Sequence, residues 1–347
     1  MKSKIFFAIS TLLLASCGTE DSQSFNDVVK TSEDSALYVA SGNCYAGGVV
    51  TSTGVNTVTS FDTKTGKKIQ VIVDYNQLMP GDSPVGVDEY DADHLLVLVE
   101  NTTGRRIDLV KKDGSSISTF ILNATALSAV GRKLRMAVDG SGYLVSKSSA
   151  IEKFTPSKAR LTQGANPYIS APGSTCATSA TLIPDFIQLS NGKHLYIHAA
   201  ATPNNKIGVI SASGYVTTAD CLAVQAAPAT TALPTAISYM KPGRVLVSYG
   251  SLTTASNFIY SYDIDETTNA ISNVTSAYLN TGIVNGPTAM AEDPVTNEVY
   301  VATGKFNAIE KFIYDRTTRL LSLVGSSSFI QPNINTRCVT AMKVAPR

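Results

Sequence analysis

The sequence predicts an all-β fold made of repeated four-stranded antiparallel sheets, and three observations support this prediction. Short apolar strand patterns recur about every 50 residues, each after a turn rich in Gly, Asp or Asn. Thr, Ser, Val and Tyr are abundant, which favours strands. Apolar residues make up 44% of the chain and charged residues only 16%, which indicates a buried core rather than disorder.

A repeat of about fifty residues sets the number of sheets. Segments related to Pro234–Ser238 begin at residues 84, 133, 184, 234, 287 and 339. A longer identity relates Ala150–Phe154 to Ala308–Phe312, about three repeats apart. Four strands in about 50 residues are typical of a propeller blade, whereas β-sandwich domains repeat near 100 residues. We therefore expect a six-bladed β-propeller of four-stranded antiparallel blades over residues 36–347.

The strands follow from this repeat in chain order. Five copies are followed by a turn and a second strand, at His94–Val99, Tyr143–Val145, His194–His198, Arg244–Tyr249 and Val299–Ala302. At the N-terminal end, Leu37–Ser41, Thr57–Asp62 and Lys68–Val73 predict the second, third and fourth strands of a blade without a first strand. The sixth copy, at Val339, supplies a single strand. We expect this C-terminal strand to pair with the N-terminal blade and so close the ring, which would remove an exposed edge.

The first residues predict export and a lipid anchor. Met1–Lys4 is basic, and Ile5–Leu14 is an apolar stretch too short to span a hydrocarbon core of ~30 Å. Leu14–Gly18 resembles the bacterial lipobox. The resemblance implies that a signal peptide, residues 1–16, is removed and that Cys17 carries the acyl chains that hold the protein to a membrane. An ordinary signal peptide with a chance cysteine is the alternative.

The lipidated Cys17 and the Ser- and Asp-rich residues after it form a predicted flexible spacer, residues 17–35. In the lipoproteins that the motif resembles, Asp after the cysteine marks retention in the inner membrane. Gly18 stands at that position, so the resemblance implies the outer membrane, with its periplasmic or surface face undetermined.

Four further cysteines form a candidate disulfide framework in an exported protein, namely Cys44, Cys176, Cys221 and Cys338. Cys338 precedes the first strand of the shared blade and Cys44 follows the second. This placement predicts a Cys44–Cys338 bond that staples the ring, which leaves Cys176–Cys221 within the fourth repeat. Buried free thiols are the alternative.

Several segments resemble a known family of repeats. Leu37–Gly42, Val299–Gly304 and Val58–Lys67 look like the YVTN-type repeat, and Phe258–Asp265 is similar to strands of lactonase-type propellers. The likeness covers most of residues 36–347. It implies a propeller, although those relatives often have seven blades, and the lack of Trp departs from WD-type blades.

No catalytic residue, metal ligand or cofactor site is predicted. The inner-strand positions of the repeat show no set of like ligands, because the fifth position holds unlike residues such as Asp88, Ser238 and Lys343. Arg135 stands at the third position of its copy and Asp185 at the second. His94 and His194 occupy equivalent positions and reflect the repeat. Asp263 and Asp265 predict a solvated turn rather than a calcium loop.

Three functions fit these observations. A binding or scaffold module for a protein, peptide or glycan of the cell envelope comes first. A lactonase-like or metal-dependent hydrolase is the alternative, with its site on the loop from Gln163 to Ser179, and a surface adhesin is the third. The formal net charge of +1 argues against nucleic acid as a partner.

Overall fold

The structure is a computed structural model. It describes residues 35–46, 49–52, 54–101, 104–120, 133–137, 140–145, 151–156, 161–163, 182–199, 205–213, 220–226, 228, 232–240, 242–250, 258–278, 286–293, 295–304 and 306–347. Cys17, the spacer before Ser35, Cys176 and the loop after Gln163 lie outside these residues, so the predictions made for them stay predictions. Among the described residues, none of the helices has the length and apolar content that a membrane crossing requires.

Five blades are each built from four consecutive antiparallel strands. Blade 1 contains β6 (Ser83–Glu89), β7 (His94–Glu100), β8 (Arg105–Lys111) and β9 (Ile117–Phe120). Blade 2 contains β10 (Leu134–Met136), β11 (Gly142–Val145), β12 (Ile151–Pro156) and β13 (Leu161–Gln163). Blade 3 contains β14 (Leu182–Gln188), β15 (His194–Ala199), β16 (Lys206–Ile210) and β17 (Cys221–Ala226). Blade 4 contains β18 (Leu233–Tyr239), β19 (Arg244–Gly250), β20 (Phe258–Ile264) and β21 (Ile271–Tyr278). Blade 5 contains β22 (Pro287–Asp293), β23 (Glu298–Thr303), β24 (Ala308–Asp315) and β25 (Leu320–Leu323).

A further four-stranded sheet, which we call the composite blade, joins the two ends of the described chain. Its strands are β26 (Val339–Pro346), β1 (Ser35–Ser41), β4 (Thr57–Asp62) and β5 (Lys68–Asp74), in that order. β26 runs antiparallel to β1, with Ser35 opposite Pro346 and Val39 opposite Met342.

The expected closure of the six-bladed ring by the C-terminal strand needs correction. The chain forms five blades from consecutive strands, and the pairing of β26 with β1 lies inside the composite blade. Backbone hydrogen bonds join strands within one sheet, whereas neighbouring blades meet through side chains. The pairing therefore completes a sheet and does not itself join one blade to the next. Contacts between blades are made by the inner strands, and β26 lies beside both β6 and β22.

A hairpin that the repeat does not predict lies between β1 and β4. Strands β2 (Cys44–Ala46) and β3 (Val49–Ser52) pair with each other alone. The hairpin returns close to its start, because a Cβ atom at Gly54 would lie 1.5 Å from the carbonyl oxygen of Gly42. A four-residue helix, α1 (Tyr75–Leu78), follows β5 and is capped by the Asp74 side chain.

The core lies between facing blades rather than in one central mass. Between blades 4 and 5, Leu246 and Ile259 pack in one cluster with Val301 and Phe312. Hydroxyl groups buried there are paired, as in the Ser261–Tyr314 contact of 2.7 Å. Successive side chains of a strand point to opposite faces of its blade, and strands such as β7 and β15 are buried on both faces, so each blade packs against two neighbours around a central channel.

The two faces of the disc differ in their connections. Inner strands begin at one face, where the longer segments lie; we call it the loop face. They end at the opposite face, where short turns such as residues 90–93 and 189–193 join the first and second strands; we call it the turn face. Because β1 begins opposite the end of β26, the chain enters the propeller on the turn face.

Candidate functional site

The central channel is lined by one polar side chain from each inner strand, a set that we call the channel ring. Its members are Asp88 from β6, Arg135 from β10, Asp185 from β14, Ser238 from β18, Glu292 from β22 and Lys343 from β26. The ring thus alternates charge over much of its circumference. Asp88, Asp185 and Ser238 are buried.

Asp88 links three inner strands. One carboxylate oxygen accepts a hydrogen bond from the backbone N–H of Met136 in blade 2, at 2.7 Å. The other accepts from the N–H of Glu89 at 2.8 Å and pairs with the ammonium group of Lys343 at 2.7 Å. The carboxylate raises the pKa of Lys343, although burial acts in the opposite direction. Asp88 therefore fastens blade 1 to blade 2 on one side and to the composite blade on the other.

Asp185 repeats this arrangement in blade 3. It accepts hydrogen bonds from its neighbour Phe186 at 2.9 Å and from the N–H of Ile237 in blade 4 at 3.0 Å. Arg135 of blade 2 forms two parallel bonds to the same carboxylate, at 2.6 and 3.2 Å, and also donates to the carbonyl of Ile237 at 3.2 Å. Paired bonds of this kind are the stronger form of charge-assisted hydrogen bonding. Together they join three consecutive blades.

Glu292 lies near both cations of the channel ring, Arg135 and Lys343. Burial raises the pKa of Glu292, and the positive charges of Arg135 and Lys343 only partly oppose this effect. The side chain of Ser238 lies beside it and helps to stabilise the carboxylate. Yet the Ser238 hydroxyl, buried in the channel wall, makes no hydrogen bond of normal geometry with any described residue. This pair supplies the channel with a group able to hold a proton and a hydroxyl with spare bonding capacity.

The channel ring corrects the prediction that the inner strands carry no set of related residues. Asp88, Ser238 and Lys343 occupy the same offset in their repeats, whereas Arg135, Asp185 and Glu292 do not. Complementary charges among unlike residues of the inner strands are the sequence feature that indicates the channel ring, because a comparison of like ligands does not detect it.

Other sequence-predicted residues lie away from the channel. His94 starts β7 and its ring nitrogen lies 2.8 Å from Asp91, and His194 starts β15 in the equivalent position. Asp263 pairs with Arg244 and Arg319, and Asp265 accepts turn N–H groups of Thr267 and Thr268. Within the described part of the chain, no group of three or more His, Cys, Asp or Glu side chains converges as a metal site would require.

The predicted Cys44–Cys338 disulfide is confirmed. It joins residues 294 positions apart at the loop face, with their Cα atoms 5.0 Å from each other. Cys221 is also disulfide-bonded. Its predicted partner, Cys176, lies outside the described residues, so that pairing stays a prediction.

The loop face exposes large apolar side chains on successive blades. Leu233 begins the inner strand of blade 4, Phe306 lies between β23 and β24, Ile334 lies in a short 3-10 helix (Ile334–Thr336) before β26, and Leu78 and Met79 lie at the end of α1. Ile334 is 69% and Leu78 55% exposed. By topology these residues follow an arc across blade 4, blade 5 and the composite blade, ending next to blade 1. We call them the apolar arc.

Comparison with known proteins gives the fold and no family. No protein-family model matches the chain, and no curated protein matches its sequence. Similar solved structures include a nidogen/laminin complex, with a TM-score of 0.57 and 9% identity over 90% of this chain and 98% of that one. A putative 6-phosphogluconolactonase from Bacteroides uniformis has a TM-score of 0.57 and 10% identity over 90% and 100% of the two chains. The periplasmic gluconolactonase PpgL of Pseudomonas aeruginosa has a TM-score of 0.52 and 10% identity over 89% and 99%. The chain therefore has a β-propeller fold that lactonase-type propellers share.

Proposed function

We propose that the chain is an envelope lipoprotein whose propeller binds a protein or peptide partner through its loop face. The observation that carries this proposal is the apolar arc. Exposed large apolar side chains grouped on one face are typical of interaction sites, because their burial against a partner is favourable. Aromatic and apolar residues at the centre of an interface commonly dominate its affinity.

The channel ring supports a binding module by making the disc rigid. Asp88 and Asp185 are engaged by neighbouring blades, so their charges hold the scaffold together. Binding surfaces supported by a rigid scaffold lose less conformational entropy on association. The loop face can then present its side chains in a fixed arrangement.

The lipid anchor on Cys17 completes the proposal. The described chain begins at Ser35 on the turn face, opposite the apolar arc. A spacer of about 18 residues, with a reach of roughly 20–25 Å, would attach that face to the membrane. The loop face would then point away from the lipid and remain accessible to a partner, with the outer membrane as the proposed location.

A photo-crosslinking residue at Ile334 tests the binding face. In cells that produce the full chain, we expect a discrete crosslinked adduct, which is lost when Phe306 and Leu233 are both changed to Ser. Val295 is 65% exposed and lies on the turn face, so the same residue placed there is the matched control. Identical adducts from Ile334 and Val295, or none from the apolar arc, would remove this proposal.

The anchor is tested separately. The change Cys17→Ser should move the protein from the membrane fraction to the soluble fraction and abolish labelling by a radioactive fatty acid. The matched change Cys221→Ser should leave both unchanged, since Cys221 lies within the propeller. Membrane retention of Cys17→Ser would show that the lipobox resemblance does not apply.

The residues of the channel suggest a second candidate function, that of a lactonase-like hydrolase. Glu292, whose pKa is raised, lies beside Ser238 and near Arg135, so the channel has a proton-holding group next to a hydroxyl and a cation. Purified protein should then hydrolyse members of a lactone panel, and Glu292→Gln should lower the rate by about 100-fold or more. Unchanged hydrolysis in Glu292→Gln, or none with the parent chain, would exclude this function for the channel.

A further inference from the structure

A cavity of about 430 Å³ lies on the outer side of the propeller, away from the channel, and two of its lining residues, Asn333 and Asn335, flank Ile334 of the apolar arc. One wall is the β4–β5 hairpin of the composite blade, with Phe61 and Lys68. The other wall is the segment between β25 and β26, with Phe329, Ile330, Gln331 and Asn335. The volume lies within the range of pockets that hold small molecules.

The second wall is held firmly in place. Ile330 exchanges two backbone hydrogen bonds with Ile309, at 3.0 and 3.1 Å. The Phe329 ring packs 5.7 Å from the ring of Tyr300, with the ammonium of Lys311 5.1 Å from its centre. Gly66 allows the two walls to approach, because a Cβ atom there would lie 2.2 Å from the carbonyl oxygen of Phe329. The cavity is thus preformed by contacts that do not depend on a ligand.

The lining combines an apolar floor with uncommitted polar groups. Phe61, Phe329 and Ile330 form the apolar part. The side-chain amide of Gln331 donates to the carbonyl of Ser328, which leaves its side-chain oxygen available. The backbone N–H of Asn335 donates to Asn333, whereas the side-chain amide of Asn335 makes no hydrogen bond with any residue that the structure describes. Lys68 forms no ion pair within the described chain, and none of the lining residues is acidic.

We propose that this cavity binds a monosaccharide-sized sugar acid, a pyranose that carries one carboxylate. The C–H face of the ring would pack on the apolar floor, where its burial is favourable. The hydroxyl groups would bond to the amides of Gln331 and Asn335, which both donate and accept. The carboxylate would pair with Lys68, whose ammonium group has no competing anion in the lining.

Binding of D-glucuronate to the purified full chain in detergent tests the proposal. We expect saturation transfer from protein to sugar by NMR and a dissociation constant of about 1 mM by calorimetry, as for a small ligand with few contacts. Glucose has the same ring without the carboxylate and should bind several-fold more weakly. A lack of saturable binding of either sugar up to about 50 mM would overturn the proposal.

Two adjacent lysines provide the matched variants. Lys68→Gln should weaken glucuronate binding about tenfold and leave glucose unchanged, since a hydrogen bond between charged groups is lost. Lys67→Gln removes the same charge from the exposed turn next to the cavity and should change neither sugar. An equal loss in both variants would show that glucuronate responds to general surface charge, which contradicts the proposed site. Asn335→Ala should weaken both sugars, and thermal unfolding of each variant checks that the fold is retained.

Discussion

The composite blade and blade 4 have the same four-stranded order but hold their inner strands in different ways. In blade 4, the inner strand β18 is followed in the chain directly by its partner strand β19. In the composite blade, β26 comes from the far end of the chain and has no such connection to β1. Side-chain bonds to neighbouring blades are concentrated on β26, which indicates that they replace the missing chain connection.

These bonds reach β26 from several sides. Lys112 of blade 1 donates to the carbonyl of Pro346 at 2.9 Å, and Lys133 of blade 2 donates to that of Thr340 at 3.3 Å. Lys343 pairs with Asp88, and the disulfide lies directly before the strand. Blade 4 depends on its chain connection and on bonds to the backbone of Ile237. The comparison predicts that a substitution in the composite blade lowers the free energy of unfolding more than the matched substitution in another blade.

The largest effect should come from the disulfide. The double change Cys44→Ser and Cys338→Ser should lower the free energy of unfolding by about 4 kcal/mol, because a loop of this length strongly restricts the unfolded chain. Denaturant unfolding under oxidising conditions measures the loss. Cys221→Ser is the comparison, since it removes a bond from a blade with a continuous chain, and we expect a smaller loss. A greater loss from Cys221→Ser would contradict the role given to the composite blade.

The fold was more accessible to sequence reasoning than the channel. Apolar strands at regular spacing predicted β7, β15, β19 and β23 nearly residue by residue, since burial on both faces fixes their composition. The hairpin β2–β3 was missed because it pairs only with itself and has no counterpart in the repeat.

The channel ring could not be derived from offsets within the repeat. An alignment assigns one position to every copy, whereas the ring depends on where each long side chain reaches. Arg135 and Asp185 lie at the third and second positions of their copies, yet they meet at 2.6 Å. Only the spatial order of the blades brings these unlike residues together.

The next largest effect should follow from Lys343→Met. This change leaves the buried carboxylate of Asp88 without its cation, at a cost of about 3 kcal/mol, toward the low end for a buried pair because Lys343 is partly exposed. The double variant Lys343→Met/Asp88→Asn should recover part of the loss in urea unfolding. If the double variant loses as much as the sum of the single changes, the two residues act independently and the pair does not fasten β26.

A series of threonines at one repeat position sharpens the comparison further. The hydroxyl of Thr340 in β26 lies 3.1 Å from the carbonyl oxygen of Ala40 and 2.9 Å from that of Pro84, in two different sheets, and shares its single proton between them. Thr235 of β18 bonds only to Ser248 of its own blade. The hydroxyl of Thr288 in β22 is buried and has no hydrogen-bond partner among the described residues.

Replacement by Val keeps the shape of Thr and removes only the hydroxyl. We expect Thr340→Val to cost about 2 kcal/mol, Thr235→Val about 1 kcal/mol, and Thr288→Val nothing or a slight gain. Thermal unfolding of the three variants gives this order directly. A cost for Thr288→Val equal to that of Thr340→Val would show that the hydroxyl contacts across blades carry no special weight.

The smallest effect should come from the exposed end of β26. Arg347 contacts Asp62 at the turn face, where solvent screens the pair, so Arg347→Ala should cost less than about 1 kcal/mol at neutral pH. Burial opposes ionisation of Asp62, but the hydrogen bonds from Thr65, Arg347 and Lys64 together outweigh it and lower the pKa of Asp62 to about 2. A carboxyl group whose pKa is lowered by folding stabilises the protein above its unfolded pKa of about 4, and this contribution is lost as the pH falls toward 2.

The pH dependence of stability therefore distinguishes the contribution of the exposed end of β26 from that of its buried residues. Between pH 5 and pH 2, Arg347→Ala should retain most of the acid destabilisation that Asp62 causes in the parent chain, because the bonds from Thr65 and Lys64 remain. Melting temperatures of the parent chain and the variant over this range measure the difference. A large loss at neutral pH would mean that the composite blade depends on its exposed end. A small loss of stability would show that β26 is held in place mainly by the buried contacts of Thr340 and Lys343 and by the disulfide before them.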